Sequence, residues 1–148
     1  MPRTTTYSFA DTSLVFYHPA VGRYSAQGEG IGAATTTPST ERTAHDVAAD
    51  GSIMVSKIEG NNGTLALQIQ QTSGLNQWLL NLFNYLVQAP ASAWAQATVT
   101  ISNSTMGDIN VMSGVSFQNK ATRPYQAQGQ QITWNMMVAD MNEMNLAY

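Results

Sequence analysis

The two histidines are the first side chains to test for chemistry, because imidazole is the commonest acid–base group and metal ligand in proteins. His18 stands beside a proline and His45 lies in a stretch without clear periodicity, so the pair lacks the H-x-x-x-H spacing of a helical metal site. Cys is absent, which excludes disulfides, thiolate catalysis and Cys-based metal sites together. We interpret both histidines as ordinary surface or turn residues and expect no metal site.

Other catalytic patterns fail on spacing. The nine carboxylates are scattered, so no pair is selected as general acid and base. The glycine-rich GEGIG at Gly28 to Gly32 has neither the G-x-G-x-x-G spacing nor the Lys of a P-loop. Asp140 to Glu143 lacks the alternating ligands and the Gly of a calcium loop. The sequence therefore predicts no enzyme and no cofactor.

The charge pattern argues against nucleic acid and membrane partners. The net charge is −3, and the six Lys and Arg residues are isolated from one another, whereas backbone binding needs clustered cations. No basic segment followed by an apolar run opens the chain, and no apolar stretch approaches the ~20 residues of a membrane-spanning helix. We expect a chain that is made in the cytoplasm and stays soluble.

Most of the chain alternates with period two, which is typical of half-buried strands. The clearest cases are TLALQIQ, ATVTISN, INVMSGVSF and QITWNMMVAD. In the last of these, Ile132, Trp134, Met136 and Val138 are predicted to face inward. The phase changes at Gly114, which favours a β-bulge there.

Two connections are predicted from the turn chemistry. Gly60 to Gly63, GNNG, supplies residues that tolerate positive φ, and we expect it to join SIMVSKIE and TLALQIQ as a hairpin. Between Gly28 and Gly51 the chain is rich in Gly, Ala and Thr, and we predict a long loop at about residues 33–50. The length of 148 residues predicts a single domain over residues 1–148.

One helix is predicted, over Gly74 to Gln88, with Thr72 or Ser73 as its cap and Pro90 beyond its end. It carries no charged side chain, and its apolar residues cover more than half of its circumference. Its amides form one narrow stripe, made up of Gln77, Asn81, Asn84 and Gln88.

Charge is missing well beyond this helix. From Gly60 to Gly107 the chain has no Asp, Glu, Lys, Arg or His, and only 10% of all residues are charged against about 25% in typical soluble domains. Monomers keep charge at their surface, whereas the cores of protein interfaces are depleted in it. The pattern favours self-assembly, although a Gln- and Asn-rich surface without functional meaning is the alternative.

Three segments in a fixed order carry a family resemblance over nearly the whole chain: Thr6–Phe16, Ala48–Leu86 and GDINVMSGVSFQNK from Gly107. Their short motifs are Asp50-Gly51-Ser52, Gly63-Thr64, Thr72-Ser73 and Asn76. With this order of strands, loop, helix and strands, the chain resembles the tail tube proteins of contractile-tailed bacteriophages.

The resemblance implies a mainly β fold with one α-helix, an antiparallel β-sandwich or split β-barrel of the phage tail tube type. It further implies hexameric rings stacked into a hollow tube inside a contractile sheath, through which DNA is ejected without specific binding. The implied partners are the chain itself, the tail sheath protein, and the tail terminator and baseplate proteins, in a virion tail assembled in the host bacterial cytoplasm. Interface candidates are Thr36, Thr37, Pro38, Arg42, Asn81, Asn84 and Gln88.

Two alternatives stay open. A tube of a related injection machine, such as a type VI secretion system or a tailocin, would share these sequence features. A carbohydrate-binding or adhesive β-sandwich would need aromatic side chains exposed on one surface, for which Tyr17, Tyr24 and Tyr125 are the candidates.

Overall fold

A computed structural model describes residue 4 and residues 6–27 and 30–145. These residues form nine β-strands, one α-helix and two short 3-10 turns, at Phe9–Asp11 and Ala91–Ala93. The strands are β1 Thr12–His18, β2 Gly22–Ala26, β3 Ile31–Pro38, β4 Thr43–Val47, β5 Ile53–Lys57, β6 Gly63–Gln70, β7 Ala97–Asn103, β8 Asp108–Phe117 and β9 Gln131–Asn145. The helix, α1, is Gly74–Gln88.

Seven strands form one sheet in the order β2-β1-β7-β8-β9-β6-β3, and every neighbouring pair is antiparallel. The strands β4 and β5 form a separate two-stranded sheet. The large sheet leaves β2 and β3 as its edges. A mainly antiparallel β fold with a single helix is therefore confirmed.

The large sheet has two ends that differ in what they carry. At one end β3 leads out to β4 and β5, which return to β6, and β8 begins beside the end of β9. We call this the hairpin end. At the other end α1 connects β6 to β7, and residues 118–130 connect β8 to β9. We call this the helix end.

The core lies between α1 and the inward side of the sheet. Four leucines of α1 are buried there, Leu75, Leu79, Leu82 and Leu86. The side chains predicted to face inward from β9 are buried as expected, and the rings of Trp134 and Phe117 pack at a tilt of 60° with their centroids 5.4 Å apart. Burial of each large apolar side chain stabilises the fold by about 1.5–3 kcal/mol.

The predicted bulge is present. The register of β8 against β7 shifts between the pairs Ala97–Val115 and Val99–Met112, and Gly114 has φ +64°. A side chain is disfavoured at that angle, so glycine supplies the extra residue of the bulge. The phase change leaves Met112 buried and turns Val111 to the outer surface.

Two predicted connections are wrong. The loop expected at about 33–50 contains β3 and β4, and β5 pairs with β4 where we had expected it to pair with β6 across Gly60 to Gly63. In β3 two alanines are followed by three threonines, so the sequence shows no period-two contrast in hydropathy, and pairing with β6 decides its conformation. The strands β4 and β5 are exposed on every residue, so no burial pattern marks them in the sequence.

The predicted helix has the expected bounds, and Ser73 is its N-cap. The Leu75 backbone N–H donates to Ser73 Oγ at 3.2 Å. The helix ends at Gln88 with Ala89 as its C-cap, immediately before the proline that cannot continue it. Within the described ranges, no helix is long and apolar enough to span a membrane.

Candidate assembly interface

The β4–β5 hairpin, residues 43–57, is the most exposed element of the described chain. Every residue of both strands is exposed, so neither face of the hairpin rests on the core. A two-stranded hairpin that stands alone in water is only marginally stable. A surface that covers it would stabilise it.

One face of this hairpin carries three exposed aliphatic side chains, beside Thr43, His45 and Lys57. Cross-strand pairing places Val47 beside Ile53 and His45 beside Val55 on the same side. The three aliphatic side chains are 65%, 57% and 62% exposed, respectively for Val47, Ile53 and Val55. We call these three residues the apolar hairpin face. The other side carries Ala44, Asp46, Met54 and Ser56.

The tip of the hairpin is a tight turn with its own hydrogen bonds. The Ser52 N–H donates to Asp50 Oδ1 at 3.0 Å, and the Ala48 N–H donates to the Ser52 carbonyl oxygen at 2.8 Å. Gly51 has φ +89°, which a residue with a side chain adopts only at a cost. Hydrogen bonds from the Ser52 backbone, and then from its side chain, hold the pKa of Asp50 below its usual value.

The base of the hairpin is fixed by Arg42. Its guanidinium donates to the Ile58 carbonyl oxygen at 3.3 Å and to Asn61 Oδ1, and it lies 3.5 Å from the Glu59 carboxylate. Lys57 also pairs with Glu59, at 3.3 Å. These are exposed ion pairs of small energy, so they orient the base more than they stabilise the fold.

Glycine is required where the chain returns to the large sheet. A Cβ on Gly63 would lie 2.6 Å from the Thr37 carbonyl oxygen. The close approach lets β6 pair with β3 immediately beside the hairpin base.

The two edge strands present unpaired backbone groups. Only β1 pairs with β2 and only β6 pairs with β3 among the described strands. An open edge is a template for a strand of another chain. Thr36, Thr37 and Pro38 lie on the β3 edge, with Thr37 and Pro38 exposed.

The amide stripe of α1 faces away from the core. All four of its residues are exposed, and Tyr85 and Val87 are exposed on the same helix. Asn76 is different, because it is buried and accepts a hydrogen bond from Trp134 Nε1 at 3.0 Å. Its Nδ2 donates to the Gln71 carbonyl oxygen at 3.2 Å, so this amide joins α1 to β9 and to the end of β6.

The predicted interface residues thus fall into two groups. Thr36, Thr37, Pro38 and Arg42 lie on or beside the β3 edge and the hairpin base, whereas Asn81, Asn84 and Gln88 lie on α1. Sequence reasoning placed no residue of the two hairpin strands among the interface candidates. The signal that could have found them is the run IMV in a segment otherwise poor in apolar residues.

His18 differs from the ordinary surface or turn residue that was expected, whereas His45 is exposed as expected. His18 is 1% exposed; its Nδ1 accepts from the Ala20 N–H at 3.1 Å, and its Nε2 lies 3.0 Å from the Ala93 carbonyl oxygen. The His18 imidazole therefore links the turn after β1 to the segment before β7 by hydrogen bonds. His45 lies on the exposed hairpin. Among the described residues, no three His, Asp or Glu side chains are grouped as a metal site.

The aromatic candidates for glycan binding do not share a surface pocket. Tyr24 packs on Trp78 at 6.2 Å between ring centroids, Tyr17 lies on β1, and Tyr125 stands exposed in the segment before β9. A sugar platform needs neighbouring exposed rings, so this geometry does not favour an adhesive module.

Comparison with known proteins gives one family and several structures of similar fold. The family model of the bacteriophage PhiTE tail tube protein matches residues 4–145. No curated protein sequence matches the chain significantly.

The similar structures come from contractile injection systems. The cap that terminates the tube of the anti-feeding prophage has a TM-score of 0.66 at 6% identity, over 98% of this chain and 95% of that chain. The sheath/tube terminator of an extracellular contractile injection system, PVC, has a TM-score of 0.65 at 7% identity, over 95% and 98%. A chain of the sheath–tube complex of PVC has a TM-score of 0.56 at 8% identity, over 90% and 88%. At these identities the likeness concerns the fold.

Proposed function

The chain belongs to the family of the bacteriophage PhiTE tail tube protein. We propose that six copies of it close into a ring and that such rings stack to form the tail tube. The chain is a structural component of the virion tail. In this proposal the tube lies inside a contractile sheath, conducts the DNA during ejection, and is assembled in the host bacterial cytoplasm from single-domain subunits. The role is non-enzymatic.

One observation carries the stacking step: the hairpin is exposed on both faces and yet has an apolar face. Val47, Ile53 and Val55 bury less than half of their surface in the subunit that carries them. Covering them with the next ring removes apolar surface from water and stabilises the marginal two-stranded sheet in the same step. The hairpin projects from the hairpin end, so it reaches along the direction in which rings stack.

Ring closure uses the sheet edges. Pairing the β2 edge of one subunit with the β3 edge of the next would satisfy backbone groups on both and leave no edge in a closed ring. Stacking along the perpendicular direction is head to tail and does not close, so it continues into a tube.

The lumen conducts DNA without holding it. Each subunit contributes a net charge of −3, so a ring of six copies is anionic and repels phosphate. The absence of charge on α1 suits contact with another protein, because a buried amide that is hydrogen-bonded costs far less than a buried unpaired charge. We assign the amide stripe to a neighbouring subunit or to the sheath. The terminator and baseplate proteins contact the ends of the tube.

A second candidate is the tube of an injection machine that delivers no DNA. The structures of similar fold come from the anti-feeding prophage and from PVC, which favours this class on fold alone. Type VI secretion systems and tailocins belong to the same class. The genes beside that of the chain distinguish the two candidates, since a virion requires capsid and portal genes and an injection machine does not.

The experiment is microscopy and sedimentation of the purified chain at high concentration. The proposal predicts rings and tubes for the wild-type chain. It predicts rings without long tubes when residues 43–57 are replaced by a short Gly-Ser linker, which removes the hairpin and keeps both sheet edges. Wild-type protein that sediments only as a 16.0 kDa species, without rings or tubes, would overturn the proposal.

A further inference from the structure

An acceptor-rich cavity opens at the hairpin end of the large sheet. It has a volume of about 160 Å³ and is bounded by β1, β3, β7, β8 and β9. Asp108 and Glu143 line it from neighbouring strands, and Asn110 lies opposite Glu143 in the β8–β9 register. We call these three residues the acidic pocket.

Asn110 carries the unsatisfied acceptor of this pocket. It is only 8% exposed, and its buried Oδ1 finds no hydrogen-bond partner among the described residues. Buried polar atoms are paired in the great majority of native structures, so an orphaned one calls for a missing donor. Ionised carboxylates are hydrogen-bond acceptors with no donor of their own, so the pocket as a whole fits a cationic donor.

The opposite end of the same two strands carries cations. Lys120 and Arg123 line a cavity of about 360 Å³ in the segment that joins β8 to β9. Arg123 Cζ lies 6.0 Å from the ring centroid of Tyr125, which is 85% exposed. The ion pairs of the described residues both lie at the hairpin base, so neither of these two cations has a carboxylate partner.

One subunit cannot bring its own two sites together. The ten residues of β8 separate them by about 30 Å at the usual rise of a strand. A second copy stacked head to tail can, because the helix end of one subunit then faces the hairpin end of the next. The described carboxylates lie on the hairpin and toward the hairpin end, so the two facing ends are complementary in charge.

We propose that Arg123 of one subunit enters the acidic pocket of a second copy in the next ring. Its guanidinium binds the Asp108 and Glu143 carboxylates and donates a further hydrogen bond to Asn110 Oδ1. Arginine suits the site because its planar group presents five donors in a fixed arrangement that matches several acceptors at once. This contact rests on the proposed stacking of rings, and it is separate from the apolar hairpin face.

The test is a charge exchange between the two sites. Arg123→Glu and Glu143→Arg should each raise the protein concentration needed for tubes at least tenfold, because each variant places like charges at every ring-to-ring contact. An equimolar mixture of the two variants should form tubes near the wild-type concentration, since each variant now offers the charge that the other lacks. Thermal unfolding of each variant checks that its subunit is folded, and Gln128→Glu, in the same exposed segment, is the control for added negative charge.

The outcomes distinguish a failure of the Arg123 contact from a failure of the proposed tube function. Tubes from Arg123→Glu at the wild-type concentration, or a mixture that assembles no better than its components, would overturn this contact and leave the tube function standing. Wild-type protein that forms no tubes under any condition would overturn both. Recovery in the mixture supports the contact, because misfolded subunits would not rescue one another.

Discussion

The apolar hairpin face gives the sharpest test of stacking, through the triple substitution Val47→Thr, Ile53→Thr and Val55→Thr. Threonine keeps a β-branched side chain, so the strand propensity of the hairpin is preserved. In the free subunit these positions contact solvent more than protein, so thermal unfolding of the monomer should be essentially unchanged. Only the contact between rings should weaken.

The size of the effect follows from the exposed fractions. Complete burial of such a side chain contributes about 1.5–3 kcal/mol, and roughly 60% of each remains to be covered. Threonine keeps part of the apolar surface and adds a hydroxyl that must be desolvated, so each substitution should cost about 1 kcal/mol. Three together cost about 3 kcal/mol per contact, which is about two powers of ten in the association constant.

The assay is the critical concentration for tube formation, measured by sedimentation and checked by negative-stain microscopy. The matched control is Ala44→Thr with Ser56→Thr, on the opposite face of the same hairpin, and it should assemble at the wild-type concentration. If the triple variant also assembles at that concentration while it remains folded, the apolar hairpin face makes no contact in the tube and the stacking argument is refuted.

Four other substitutions test the fold and the helix. Asn76→Leu leaves the buried Trp134 Nε1 without its acceptor and should lower the free energy of unfolding by about 2–3 kcal/mol in urea denaturation; an unchanged value would show that the bond is dispensable. Gly114→Ala places a Cβ 2.6 Å from another Cβ at φ +64° and should cost about 1–3 kcal/mol in the same assay, and a neutral result would mean that the bulge relaxes freely. Asn84→Lys should leave the melting temperature of the monomer unchanged and reduce the yield of sheathed or bare tubes, whereas Leu79→Lys, inside the core, should unfold the subunit. A wild-type tube yield from the Asn84 variant would show that the amide stripe stays in solvent.

The elements that sequence reasoning found are those whose side chains meet the core. Period-two alternation marked β6, β7 and β9 because one face of each packs beneath α1. The helix was recoverable from Ser73 and Pro90, since capping and the missing proline N–H act locally. The bulge could be predicted because it is also a local feature, which depends on the conformational freedom of Gly114.

What sequence reasoning missed lies where the chain has no core face. It missed β4 and gave β5 the wrong partner, and both strands are exposed on all residues, so burial inside the subunit does not shape their sequence. The motif at Asp50 to Ser52 carried part of the resemblance, and its role as the hairpin tip became visible only with the fold. The acidic pocket was equally hidden, because Asp108 and Glu143 are far apart in sequence and meet only through the register of β8 with β9.

The charge-free run from Gly60 to Gly107 covers β6, α1 and β7. Two different physical reasons account for the absence of charge, one for its buried and one for its exposed residues. The buried half of this run forms the core, where charge is excluded in any globular protein. The exposed half includes Asn81, Asn84, Val87 and Gln88, where a free monomer would gain solubility from Lys or Glu at almost no cost to the helix. Only a surface that is covered in the assembled state penalises such charges, because each would have to be desolvated on contact. The missing charge on the exposed half therefore indicates that these side chains are buried against another protein in the assembled state, since the core of the subunit does not cover them.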